Sequence, residues 1–109
     1  MEPTFITIIQ GDHGFDWNFT LTDAQGAAVN IAGTILSFIA QLLSDPSVNS
    51  NNAMSIVNGP LGKCKYTVQS DDFIVPGTYN AQISVQYTSG EVFSFGDITI
   101  VVEPSLPTT

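Results

Sequence analysis

The sequence predicts an all-β domain of two packed antiparallel sheets with about seven to eight short strands, and three observations carry that prediction. Its apolar residues recur with a period of two in the best-defined segments. Turn-forming Gly, Pro, Asn and Asp clusters interrupt those segments at spacings of about eight to twelve residues. No stretch makes a firm amphipathic helix. A small barrel is the structural alternative to a sandwich.

The elements follow in order. Phe5 to Gln10 is apolar and β-branched and is broken by Gly11-Asp12-His13-Gly14, a strand followed by a turn. Phe15 to Leu21 alternates, with Phe15, Trp17, Phe19 and Leu21 on one face and Asp16, Asn18 and Thr20 on the other. Asp23-Ala24-Gln25-Gly26 supplies turn chemistry, and Ala27 to Ile31 returns as a short strand or extended edge.

Between Ile31 and Leu43 the pattern also fits one face of a helix. Gly33 and the β-branched Thr34 and Ile35 weaken that reading, so a central strand covered on both faces is expected. Ser44 to Asn52 is too polar to pack and reads as a mobile loop.

Ala53 to Val57 and Lys63 to Val68 form a hairpin around Asn58-Gly59-Pro60-Leu61-Gly62. Pro76-Gly77 then opens a strand that places Tyr79, Ala81, Ile83, Val85 and Tyr87 on one face. A last strand, Val92 to Val102, is bent or bulged at Gly96-Asp97. Glu103 to Thr109 carries two prolines and no apolar pattern, so the domain is expected over residues 1–103, with a flexible tail at 104–109.

A chain of 109 residues, 43% of them hydrophobic, suits one folded core. Its net charge of −8, with Lys63 and Lys65 as the only basic residues, disfavours phosphate backbones and anionic membranes. Neither nucleic acid nor membrane is an expected partner. Cys64 is the sole cysteine, so no intrachain disulfide is expected, and its place beside Tyr66 and Val68 reads as a buried small hydrophobe. The N-terminal stretch lacks a basic region before its apolar residues, so no secretory signal is expected, and the protein is expected to be intracellular or delivered outside by assembly into something larger.

Candidate chemistry is sparse, and no cofactor is expected. Asp12, His13 and Asp16 offer metal-ligand types, but they match no metal-ligand spacing and read as a solvated turn. Asp71-Asp72 likewise reads as a solvated turn rather than a calcium site. There is no nucleophile elbow, no phosphate loop and no arginine, so catalysis is not expected. Asn18-Phe19-Thr20 matches a glycosylation sequon but lies within a strand. Phe15, Trp17 and Phe19 read as core before sugar platform. Phe73-Ile74-Val75 is an apolar triplet between polar residues and a turn, either an inter-sheet plug or an exposed contact. With Tyr87 and Phe95, it completes the candidate interface of Phe73, Ile74, Val75, Tyr87 and Phe95.

Gly77-Thr78-Tyr79-Asn80-Ala81, after Asp71-Asp72, resembles the tyrosine corner of immunoglobulin-like sandwiches, with Ala81 where antibody domains carry a cysteine. A wider pattern is similar to the N-terminal immunoglobulin-like domain of phage baseplate upper proteins. It runs from the strand ending in Gly11-Asp12, through FDWNFTLTDAQGAAVNIAGTILSF and GKCKYTVQSDDFIVPGTYNAQISVQYTSGEVFSF, to the closing ITIVV. Its elements are Asp23-x-x-Gly26, Val29-Asn30-Ile31 with Gly33-Thr34, Gly62-x-x-x-Tyr66 and Pro76-Gly77-x-Tyr79.

The resemblance implies a structural role in the virion, as a baseplate or tail component or adaptor that docks on other virion proteins in a symmetric assembly. It also supports a strand over Thr34 to Leu42. The chain departs from the family in ending after one domain, which leaves a capsid decoration protein open. A carbohydrate or host-surface adhesion module, binding a host glycan through exposed aromatics, is a further alternative.

Overall fold

The computed structural model describes residues 4–106. Among these there is no helix; eight strands form two sheets. They are β1 (Thr4–Ile9), β2 (Asp16–Thr20), β3 (Ile35–Leu42), β4 (Asn49–Ala53), β5 (Ser55–Asn58), β6 (Lys63–Thr67), β7 (Gly77–Gln86) and β8 (Val92–Glu103). The larger sheet runs β1-β8-β7-β3-β4, and the smaller runs β2-β6-β5.

Alternation decides which side of each strand is buried. Leu36, Phe38, Ala40 and Leu42 of β3 and Tyr79, Ala81, Ile83 and Val85 of β7 turn inward, as do Cys64 and Tyr66 of β6. Together with Ile98, Ile100 and Val102 of β8, they belong to one core cluster. Phe38 sits at its centre. It stacks on Tyr66 of the smaller sheet with centroids 4.5 Å apart, and packs on Phe19 at 5.8 Å and Trp17 at 6.1 Å. These rings join the two sheets, and aromatic pairs at such separations add to what their buried area contributes.

Several expectations hold at the level of single elements. The hairpin expected over Ala53–Val57 and Lys63–Val68 forms between Ser55–Asn58 and Lys63–Thr67, while Ala53 ends β4 instead, and the last strand is one element whose register with β7 shifts between Ala81 and Ile83, with Asp97 at a φ of 61°. Ala27 to Ile31 is extended edge, tied by a bridge between Thr22 and Ala28 and a hydrogen bond from Val29 N to Leu21 O. Gly62 is required in the turn before β6. Its φ is +70°, and a Cβ there would lie 2.5 Å from the Leu21 carbonyl oxygen.

Other expectations are corrected. The larger sheet is not wholly antiparallel, because β1 and β8 pair in parallel from Thr4↔Ile98 to Ile9↔Glu103. Nearly the whole domain separates these strands, so a reading built on adjacent hairpins does not anticipate the pairing. β3 is central but covered on one face only, since Ile35 and Gln41 on the other side are exposed. The expected loop over Ser44 to Asn52 contains most of β4. Asp45 closes the turn by accepting from Ser47 N and Val48 N, which returns the chain to pair Gln41↔Asn49 through Ser37↔Ala53. Backbone pairing at the open edge of β3 overrides the weak strand propensity of the asparagines.

Pro104 to Leu106 lies beyond the last strand, and Leu106 is exposed. Residues 1–3 of the expected domain and 107–109 of the expected tail lie outside the described residues.

Candidate docking interface

The titratable and polar side chains near the core are engaged in holding it together. Asp72 was expected in a solvated turn, yet it is buried. Its carboxylate accepts hydrogen bonds from the Tyr66 hydroxyl, from Gln69 N at 2.9 Å and from Asn52 Nδ2 at 3.2 Å. Asn52 also donates to the Tyr66 oxygen at 3.0 Å. Burial, reinforced by the hydrogen bond to Asp72, pushes the Tyr66 phenol well above its ordinary range.

Tyr79 is held in a similar way, with its hydroxyl donating to the Val75 carbonyl, 2.7 Å away and four residues upstream. Burial raises that phenol too. Cys64 is buried, and desolvation pushes its thiol up to about 11, the opposite of what a reactive thiolate needs.

The other candidate ligands are separated in the same manner. The His13 ring nitrogen Nδ1 lies 2.9 Å from the Gly11 carbonyl oxygen. Asp16 takes a hydrogen bond from Thr67 and pairs with Lys65 at 3.5 Å; these contacts, Thr67 first, hold its carboxyl below the ordinary range. Among the described residues, no group of three or more His, Cys, Asp or Glu could hold a metal ion. No helix there is long and apolar enough to cross a membrane.

The five residues expected to form one interface fall toward opposite ends of β7, a strand of ten residues and about 33 Å. Phe73, Ile74 and Val75 precede it. Phe73 is a plug, buried with a φ of 51° and its ring 5.2 Å from Tyr79 and 5.5 Å from Trp17. Val75 packs against the core, while Ile74 is 53% exposed.

Tyr87 lies just past the far end, and Phe95 sits opposite Ile83, three residues short of it; both are partly buried and packed against the core. The Tyr87 hydroxyl donates to Asn30 O at 2.9 Å, and its ring meets Phe93 edge-on at 5.8 Å.

That far end carries residues the sequence reading missed. Cross-strand register places Ile35, Gln86 and Val92 in one row on the outer face of the larger sheet. Phe93 follows Val92 and turns to the other face, opposite Val85. Ile35, Val92 and Phe93 are 66%, 57% and 51% exposed. With Tyr87, they form an apolar tip on both faces of the β7–β8 hairpin. The bulge at Gly96-Asp97 was a usable signal, because it resets which residues of β8 face inward.

Two sheets share one core, its polar groups are committed to structural hydrogen bonds, and an apolar tip is exposed at one end. A family model of the BppU N-terminal domain, from the baseplate upper protein, matches residues 4–109, and the chain belongs to that family. It is a phage baseplate-associated structural domain. No curated protein matches the chain.

Proposed function

We propose that this domain is a non-enzymatic, immunoglobulin-like docking module of a phage baseplate, and that its apolar tip is the surface that seats on a neighbouring virion protein. The tip carries the reading: Ile35, Val92 and Phe93 are all more than half exposed at one end of an elongated body of 50 × 24 × 24 Å. Burying side chains of this kind contributes about 1.5–3 kcal/mol each. Exposed apolar residues gathered at one place mark interaction surfaces, whereas scattered ones need no explanation.

The immunoglobulin-like assignment is supported by the strand order, in which β1-β8-β7-β3-β4 faces β2-β6-β5, and by the Tyr79 hydroxyl closing on Val75 O near the start of β7. The chain's −8 charge suits a neutral or basic partner surface.

The test is a phage carrying Ile35→Ser and Val92→Ser in this chain. Both side chains face solvent on the outer face, so the isolated domain should keep its melting temperature. Virions should lose the chain, as read by mass spectrometry of purified particles. Retention at the normal copy number would remove the tip from the docking role.

A further inference from the structure

The β2 edge of the smaller sheet carries unused backbone hydrogen-bonding groups beside a groove. In the β2–β6 pair, Val68 N donates to Phe15 O at 3.0 Å and Leu21 N donates to Gly62 O at 2.8 Å. The antiparallel register then makes the odd-numbered residues of β2 the hydrogen-bonded positions. Asp16, Asn18 and Thr20 occupy the alternate positions, opposite Thr67, Lys65 and Lys63, so their N–H and C=O groups point away from β6. These groups have no backbone partner among the described residues.

On that open side lies a groove of about 730 Å³, lined by Asn18, Phe19 and Thr20 of β2, by Thr22 and the Asp23–Gly26 turn that follow it, and by Thr4 of β1. A strand edge with outward N–H and C=O groups at every second residue matches an extended backbone and little else.

We propose that this groove is a strand acceptor, and that an extended segment of a partner virion protein pairs antiparallel or parallel along β2 and adds a fourth strand to the smaller sheet. The inference rests on the reading that the domain docks within a baseplate, and it adds a second contact distinct from the tip. Phe19 lines the groove between Asn18 and Thr20, so the segment carries an apolar side chain where it crosses Phe19. Among the described residues Asp23 is the one charged residue lining the groove, its carboxylate fixed by Gln25 N at 2.9 Å and Ala27 N at 3.0 Å. The segment therefore carries Lys or Arg toward that turn. A second copy of this chain is disfavoured, because two bodies of charge −8 repel and each supplies only two lysines.

The test compares backbone amide hydrogen exchange in the isolated chain and in the assembled baseplate. Asn18 and Thr20 amides should exchange freely in isolation and slow by at least about tenfold in the assembly. Unchanged exchange at both would overturn the strand acceptor, even if the tip amides near Val92 became protected, a result that leaves the tip reading standing. Protection at Asn18 and Thr20 with the tip unprotected would support the acceptor and remove the tip. As a second measurement, Asn18→Pro removes an outward donor that β6 does not use, a placement a strand edge tolerates. Its melting temperature should stay near that of the unaltered chain while incorporation into particles falls at least about tenfold. Normal incorporation of Asn18→Pro would also overturn the proposal.

Discussion

The hydroxyl of Tyr66 donates to the carboxylate of Asp72 across the turn that leads from β6 toward β7, and both residues are buried. Asp72 also takes Gln69 N, while Asn52 of β4 bonds to both members of the pair. The contact thus fastens the β3–β4 hairpin of one sheet to the end of the other.

Replacing Tyr66 with Phe keeps the ring stacked on Phe38 but leaves the buried Asp72 short of one donor. A hydrogen bond to a charged group contributes about 1.5–3 kcal/mol, so the free energy of unfolding in urea should fall by that amount, through a lower midpoint with an unchanged slope. A change under about 0.5 kcal/mol would mean that water replaces the hydroxyl without loss.

Tyr79→Phe should cost less. The ring stays against Phe73, and only the hydrogen bond to the Val75 carbonyl is lost, which is worth about 0.5–1.5 kcal/mol. Urea unfolding of the two variants side by side tests the predicted order.

Gly62→Ala should destabilise the domain by about 1–3 kcal/mol or more, through a left-handed backbone that disfavours a side chain and a collision with the Leu21 carbonyl. Gly26→Ala, at a φ of +82° with open space around it, carries only the conformational part and should cost less. Thermal unfolding of both variants separates the two contributions.

Alkaline pH should weaken the fold. The Cys64 thiol rises from 9.0 to about 11, and the Tyr66 phenol lies above its ordinary value of 10.0. In both cases the folded state holds a proton that the unfolded state releases first. The associated stability is full below about pH 9 and is lost as pH rises through the folded values, by at most about 1.4 kcal/mol per pH unit for each group. Urea unfolding at pH values of about 8 to 10.5 should show this decline, and Cys64→Val should remove the part that begins near pH 9.

Strand placement was legible where alternation is strong. Trp17 with Phe19, Cys64 with Tyr66, and the run from Tyr79 to Val85 announce their buried faces in the sequence, and Pro76-Gly77-x-Tyr79 announces the closure on Val75. What was not legible depends on partners distant in sequence. Asn49 to Asn52 look like loop because their strand exists by pairing with the edge of β3. Asp72 looks solvated because its donors, Tyr66 and Asn52, are 6 and 20 residues away. The proposed docking surface was half legible, since Tyr87 marks the tip, but only the cross-strand register brings Ile35 beside Gln86 and Val92.

The most direct test of the docking role is electron cryo-microscopy of the parent particle at a resolution that traces this chain. The account predicts density for the domain in the baseplate, with Tyr87, Val92 and Phe93 covered by a neighbouring virion protein. Density on the capsid, or a domain in the baseplate whose β7–β8 tip stands in solvent, would contradict it.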